Sequence, residues 1–520
     1  PLQSTNEGSL VTAYDMNWVS ELMVKFDILG LRTLSVVYDA CNSLNINPLD
    51  IPIDSEDVYL PLQNLDHGQG LFQIEASTNF SVCKKVKPKN LEELSAVVAI
   101  ARPGALDFVD QYSDYASSGN FQSQHEVFDD VLSYTGGIPL YQEQLMKMAV
   151  NIGFTLDESE QLRRIVGKKK IDKMPAWKQK IKDKIEENNL PPEAGDVLWQ
   201  VAEDSANYSF NKSHSVAYAT LSAWTVYLKF KYPKQFFLSL LKMCKFEPTP
   251  QAEVSKISQE LSFFNISLLP PHIVHSKMDF SIEGENIGYG LSSIKGISDK
   301  SLNALRDFRS GQTSTKFELF LAAKQSGLNI GVLSALIQAG ALSENPNEDR
   351  SKLALEAQIF NILTDREKRN FISISKSENL DLFQIIKNIK SSNFTLIGDD
   401  GKPLIKESRY NTLKNKYLPY KKIYYKNMKS QKFANWYFEK QLLGFSYSSE
   451  LSKVFSHETK KPNNSKHFKS ISPRTTQKYI FTVAFSKKDK SKNGNLYIKL
   501  ELEDEYGSVD AILCDNARGK

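Results

Sequence analysis

Cysteine is scarce and scattered, with Cys41, Cys83, Cys244 and Cys514 the four in 520 residues. None forms a Cys-x-x-Cys pair, and no histidine stands at metal-ligand spacing from them. That argues against a structural zinc site or a disulfide scaffold, and for a reducing compartment. Long apolar runs are also missing. All fall well short of a membrane span, and no signal-peptide pattern opens the chain. Nor is charge of one sign in large excess: the formal net charge of +4 does not by itself demonstrate a polyanionic partner. Internal repeats are absent. Residue 1 is Pro rather than Met, so the expectation is a piece of something longer, soluble and intracellular.

What the chain does have is length and local pattern. It is long enough for several domains, each with a substantial core. A short apolar segment, Leu22–Leu31, precedes a helix-like stretch around Thr33–Leu44. From about 51 to 245 the pattern is mostly helical, cut at Arg102-Pro103-Gly104, Gly136-Gly137 and Pro191-Pro192. Shorter helices continue from 246 to 345, with a strand-like piece near Phe280–Ile287. The region 346–470 is rich in Lys, Asn and Ser and reads as a loosely structured connector. Beyond it Tyr479, Phe481, Val483 and Phe485 alternate with polar residues, as do Leu496, Ile498, Leu500 and Leu502, around Asn493-Gly494. That is a hairpin signature and suggests the opening of a small β-barrel.

The corner Phe210-Asn211-Lys212-Ser213-His214-Ser215-Val216-Ala217-Tyr218 carries the densest chemistry. Ser213 can cap a helix in which Leu221, Trp224 and Leu228 recur until Pro233. Lys212 and His214 would then stand at a helix N-terminus, where free N–H groups and the dipole favour phosphate. An ordinary capped helix with two solvated polar residues is the other reading. A second helix is expected to begin at Thr155, with Glu158 at capping-box spacing, and to end in Arg163-Arg164-Ile165-Val166-Gly167-Lys168-Lys169-Lys170. That basic end either neutralises a polyphosphate or is a solvated terminus.

These segments resemble the C-family replicative DNA polymerases, the bacterial polymerase III alpha subunit and its phage relatives. Lys25-Phe26-Asp27-Ile28-Leu29-Gly30-Leu31 resembles the family's palm segment KFDFLGL, Gly70–Glu75 its GVFQ-E segment, and Ala101–Gly104 its RPGP corner. Tyr141–Gln144, Leu162–Lys170 and Phe210–Tyr218 resemble the fingers motifs YQEQ, LRRAMGKKK and FNKSHAAAY, all in the family's order. The fold implied is multidomain and mainly α, with an α/β palm remnant, helical fingers, a helix-hairpin-helix region and a truncated β-barrel of the OB type. The implied domains are the end of a palm at 1–35, fingers at 36–260 and a duplex-binding region at 261–345. A connector at 346–475 and the start of an OB fold at 476–520 complete the list.

The resemblance also implies roles. Asp27 matches one of the palm carboxylates that hold two Mg²⁺ ions for nucleotidyl transfer. Lys25 would lie near the primer end or the nucleotide phosphates, and Arg163, Arg164, Lys212 and His214 would surround an incoming deoxynucleoside triphosphate, with His214 against the sugar. Gln73, Arg102 and Gln144 are either substrate contacts or structural polar corners. Lys295 and Gly296, in Gly288–Ser298, match the helix-hairpin-helix that meets primer–template DNA; Ser298 stands where the second hairpin glycine is usual. Asn379-Leu380-Asp381-Leu382-Phe383 resembles the sliding-clamp peptide, with Leu380, Leu382 and Phe383 as the plug. Lysines and tyrosines interleave from Leu413 to Lys432, a composition that suits a nucleic-acid strand or merely a solubilising face.

The family's Pro-Asp-x-Asp-x-Asp strand, which carries its other metal carboxylates, does not occur here. The expectation is therefore part of a bacterial or phage-encoded cytoplasmic polymerase, inactive alone, and either a truncated piece or the downstream half of a polymerase split between two chains. The rival expectation is a non-catalytic module that binds DNA and a clamp.

Overall fold

The computed structural model describes residues 1–520 apart from 24, 25, 27, 168–173, 310–314, 344, 346, 399, 428–429, 457–462, 469–470, 492–493 and 515–520. β1 (Leu2–Ser4) and β2 (Leu10–Thr12) form an antiparallel hairpin, followed by α1 (Met16–Leu22). The apolar residues that follow are largely solvent-facing, Phe26 and Ile28 among them. α2 (Arg32–Leu44) begins the main body, as the sequence predicts.

α3 (Glu56–Gln63), α4 (Ser77–Val86), α5 (Leu91–Ile100) and α6 (Val109–Ser118) come next, then the short α7 (Asp129–Leu132). α8 (Gln142–Asn151), α9 (Leu156–Gly167), α10 (Met174–Glu187) and α11 (Pro192–Tyr208) build a lobe with its own core. That core is Phe128, Leu145, Met148, Phe154, Leu162, Trp177, Ile181 and Leu198 with their neighbours. The predicted capping box holds at the start of α9: Glu158 N donates to Thr155 Oγ1 at 3.2 Å, and Thr155 N donates to Glu158 Oε2 at 2.9 Å.

α12 (Lys212–Lys231) is the hub of the main body. Small residues Ser215, Ala219, Ser222 and Ala223 are buried along it, so neighbouring backbones approach closely; Ser215 Oγ donates to Ser95 O of α5 at 2.7 Å. It stops at Tyr232 because Pro233 opens α13 (Pro233–Met243). α14 (Pro250–Leu261) leads to a three-stranded sheet of β3 (Leu268–Leu269), β4 (Ser281–Glu283) and β5 (Asn286–Gly288) in the order β3-β5-β4. The strand-like piece predicted near Phe280–Ile287 is the β4–β5 hairpin. α15 (Leu302–Arg309), α16 (Lys316–Gln325) and α17 (Ile330–Gln338) follow.

Residues 346–470 correct the sequence expectation. The stretch expected to be a loose connector folds into α18 (Arg350–Asn361), α19 (Asp365–Glu378), α20 (Leu382–Ser391), α21 (Glu407–Asn427), α22 (Gln431–Leu443), α23 (Leu451–Val454) and α24 (Ser465–Phe468). Leu355, Ile359, Phe360, Phe371, Ile385, Ile389, Leu413 and Leu443 from these helices join the same core as α2 and α12. Polar composition concealed this because the buried apolar residues are few and stand among many polar ones.

The tail is an antiparallel meander of β6 (Thr482–Lys490), β7 (Leu496–Glu503) and β8 (Ser508–Cys514). Gly494, at φ +79°, lies in the predicted β6–β7 turn. Among the described residues the sheet is open rather than closed into a barrel, and Val483, Phe485 and Ile512 face solvent.

Candidate functional site

The Phe210–Tyr218 corner is fastened to the start of α8 by main-chain hydrogen bonds. Phe210 N donates to Leu140 O at 3.1 Å and Gln142 N to Phe210 O at 2.9 Å, a parallel bridge between Tyr141 and Phe210. The N-cap of α12 is Asn211 rather than the expected Ser213. Asn211 Oδ1 accepts from His214 N at 2.9 Å and from Ser213 Oγ at 2.7 Å. Asparagine reaches the third helical N–H from this position, and the serine two residues later is already inside the first turn.

The helix start is not left open to phosphate either. Glu143 places one carboxylate oxygen 2.9 Å from Asn211 Nδ2 and the other 3.0 Å from Lys212 N. An internal anion therefore answers the positive helix end, as the dipole favours. The Lys212 ammonium turns the other way. It sits 3.1 Å from Glu92 and 4.5 Å from the centre of the Tyr134 ring. Both belong to the wall of a cavity of about 590 Å³ that Tyr112, Glu143 and Lys147 also line.

At the corner stands a row of rings, half-buried except for the exposed His214. The Arg102 guanidinium lies 4.1 Å from the centre of the Phe210 ring, a cation–π contact. Phe210 meets His214 at 5.5 Å, His214 meets Tyr218 at 4.2 Å, and Tyr218 meets Phe72 at 5.2 Å. Gln73 follows in the left-handed region, at φ +59°, a conformation disfavoured for a residue other than glycine. Its carbonyl accepts from Asn79 Nδ2 at 2.6 Å. Phe72 is held at both ends by α12: its N donates to Thr225 Oγ1 at 3.1 Å, and its O accepts from Ser222 Oγ at 2.8 Å. Deeper in, the wholly buried Lys229 donates to His67 O at 2.8 Å and Gln69 O at 2.7 Å and pairs with Glu260. Burial draws its ammonium down to about 8, against the opposing pull of Glu260.

Arg163 enters the corner through α8, donating from Nη1 to Gln142 Oε1 at 3.1 Å. Its fork also grips Glu160 at 2.6 and 2.7 Å, and Arg164 Nε shares that carboxylate at 2.8 Å. The hydrogen bonds from Arg163, and then Arg164, hold the Glu160 carboxyl down at about 2. The two arginines thus keep only part of their charge for a ligand, with Arg164 the more exposed. Gln144 is the structural corner of its two readings. It is fully buried; its Oε1 accepts from Tyr141 N at 2.8 Å, and its Nε2 donates to Val131 O at 3.1 Å and Thr135 Oγ1 at 2.7 Å.

The structure thus gathers Gln73, Arg102, Arg163, Lys212 and His214 about the α8–α12 junction. Lys25, Asp27 and the Lys168–Lys170 run lie outside the described residues. Among the described residues no three His, Cys, Asp or Glu side chains are grouped so that they could hold a metal ion. Sequence reasoning missed Glu143, Glu160 and the ring row. Glu143 was within the quoted Tyr141–Gln144 motif, but nothing local shows that its carboxylate reaches α12.

Farther along, Lys295 is exposed while its N donates to Leu442 O at 3.0 Å, and Gly296 turns at φ +96° beside Ala335. Arg350 closes this region onto α22. It pairs with Glu439 at 2.7 Å, both fully buried, and donates to Tyr447 OH at 3.0 Å. Glu439 Oε2 accepts from Ser446 Oγ, Tyr447 N and Ser448 N. Both oxygens of this buried carboxylate are therefore hydrogen-bonded.

The clamp-peptide expectation is corrected by its setting. Asp381 is the N-cap of α20, accepting from Gln384 N at 2.8 Å, and Leu382 is fully buried. Leu380 and Phe383 pack partly against the core. A helix start so anchored cannot offer Leu382 to a partner while folded. The basic–aromatic stretch divides likewise: Tyr410, Leu413 and Tyr417 form the inward face of α21, and Tyr420 looks outward. Among the described residues no helix is long and apolar enough to cross a membrane.

Residues 31–189 match the family described as the bacterial DNA polymerase III alpha subunit finger domain, and residues 265–353 match a helix-hairpin-helix motif. The chain is 33% identical over 434 residues to a DNA polymerase III subunit alpha of Aquifex aeolicus, covering 81% of this chain and 36% of that protein. The Thermus aquaticus subunit is 31% identical over 372 residues, covering 68% and 30%. The Escherichia coli K12 subunit is 33% identical over 365 residues, covering 66% and 31%. The chain spans about a third of the length of these curated relatives.

Proposed function

We propose, for a chain that belongs with the bacterial DNA polymerase III alpha subunits, that it forms the fingers and duplex-contacting part of a replicative DNA polymerase. The observation that carries this reading is the α8–α12 junction, where Arg102, Arg163, His214 and Gln73 converge although they are far apart in sequence. Planar guanidinium groups beside a half-buried ring row with His214 exposed suit a triphosphate attached to a base and sugar. In this reading Arg163 and Arg164 meet the phosphates, His214 bears on the sugar, and Gln73 is held rigid as a contact. Lys212 joins them only by leaving Glu92.

Lys295 and the Gly296 turn are proposed to meet the phosphates of primer–template DNA, which positions the duplex without reading its sequence. Magnesium, when bound in a complete site, would polarise the phosphoryl group, and Asp27 is the residue of this chain proposed to hold it. The chain's own part is to bind and orient nucleotide and duplex, in the bacterial cytoplasm.

The test is binding and then extension. Anisotropy with a labelled deoxynucleotide and with a primer–template duplex should show Arg163→Ala and Arg102→Ala weakening the nucleotide and Lys295→Ala weakening the duplex. Supplying a second chain that carries a Pro-Asp-x-Asp-x-Asp strand should restore primer extension, and Asp27→Ala should abolish it. Duplex binding without nucleotide binding or extension would instead favour a non-catalytic DNA-binding module.

A further inference from the structure

Lys368 is the least explained charge in the molecule. It lies on α19 with 1% of its surface exposed, and its Nζ has no hydrogen-bond acceptor among the described residues. The nearest carboxylate is Asp365, one turn earlier, whose Oδ1 is 3.8 Å away and whose side chain is 81% exposed. That same oxygen is 3.2 Å from Lys324 Nζ of α16, so two ammonium groups share one well-solvated carboxylate. Burial, followed by the like charge of Lys324, draws the Lys368 ammonium down to about 8.

Both lysines line a cavity of about 10 Å³ between α16, α17, α18 and α19. Such a volume admits one water-sized occupant, which needs roughly 10–15 Å³. Apart from the two lysines and Asn361 the walls are apolar, with Phe320, Leu333 and Phe360 prominent. The chemistry of the occupant follows from that lining. A water could accept from both lysines, but its own two hydrogens would find few acceptors on these walls. A monatomic anion has no hydrogens to satisfy, accepts from both ammonium groups and cancels their repulsion. Phosphate or sulfate is too large for the volume.

We propose that this cavity is a seat for one halide-sized anion, held by Lys324 and Lys368, that fastens α16 of the duplex-contacting region to α19. The site is separate from the α8–α12 junction and does not depend on the function proposed above.

The full chain is crystallised from sodium bromide, and anomalous scattering is measured at the bromine edge. A peak between Lys324 and Lys368 is expected; no peak there, or density refining as water in saturating bromide, overturns the proposal. In parallel, melting is followed while sodium chloride replaces sodium glutamate at constant ionic strength. The midpoint should rise about 3–5 °C for each tenfold of chloride above its Kd in the wild type. Neither Lys368→Met nor Lys324→Met should show it. If Lys368→Met does not fold, the solvent-facing Lys324→Met decides, and an undiminished chloride effect in it refutes the seat.

Discussion

Leu382→Ala separates two incompatible accounts of one five-residue motif. As a clamp plug Leu382 would be exposed, and its truncation would leave the fold alone. In the structure it is fully buried at the first turn of α20, with its N 3.3 Å from the Glu356 carboxylate, itself buried and paired with Lys316. The substitution removes three carbons, about 2.4 kcal/mol at roughly 0.8 kcal/mol per methylene. The residual cavity adds to this, and buried Leu→Ala changes span about 2–5 kcal/mol, so about 3 kcal/mol is expected. In a cooperative unit of 150–250 residues that is a fall of roughly 6–12 °C in melting midpoint. Circular dichroism on heating reads the fall, and hydrogen exchange should show it first in α20 and α18. The half-buried Phe383→Ala should give a smaller drop by the same measures. Melting within about 0.5 kcal/mol of wild type, together with lost affinity for a purified sliding clamp, would refute the burial argument.

Breaking the buried Arg350–Glu439 pair by Arg350→Met should cost about 3–5 kcal/mol in chemical denaturation, because Glu439 is left charged and buried. The double change Arg350→Met with Glu439→Leu should recover part of that loss, and an additive double mutant would contradict the pairing. Glu160 has its folded carboxyl held at about 2 against roughly 4.3 unfolded, so its stabilisation is complete above the latter and lost as pH falls towards 2. Acid titration of stability should lose that segment in Glu160→Gln. Lys229 gives a slope of the same sign in a higher window: its folded ammonium, near 8, releases its proton before the unfolded chain does, near 10.4, so a burial penalty present below 8 is relieved as pH rises. Stability should therefore rise with pH across that window by a slope that Lys229→Met lacks in denaturation series. Glu143→Ala should loosen the start of α12 by about 1 kcal/mol, seen as faster amide exchange at Lys212.

Local order was the part legible in the residues themselves. Thr155 and Glu158 cap their helix as their spacing requires, Pro233 ends α12, and the β6–β7 turn falls at the glycine between the alternating runs. Such features depend on neighbours within a few residues, so a linear reading contains all the atoms involved. Kinship was also legible, because motifs such as Leu162–Lys170 and Phe210–Tyr218 stand in the family's order, and residues 31–189 and 265–353 match family models.

Everything that depends on what a side chain meets across the fold was decided elsewhere. Lys212 looked like a phosphate ligand until Glu143 took the helix end and Glu92 took the ammonium. Leu382 looked like a plug until α18 and α20 closed over it. The 346–470 stretch looked loose because composition averages over a segment, whereas burial depends on which residues the rest of the fold covers. Motif order along the chain determined the kind of protein this is. Only the tertiary structure decided which of its charges remain available, since that is settled by partners tens to hundreds of residues away.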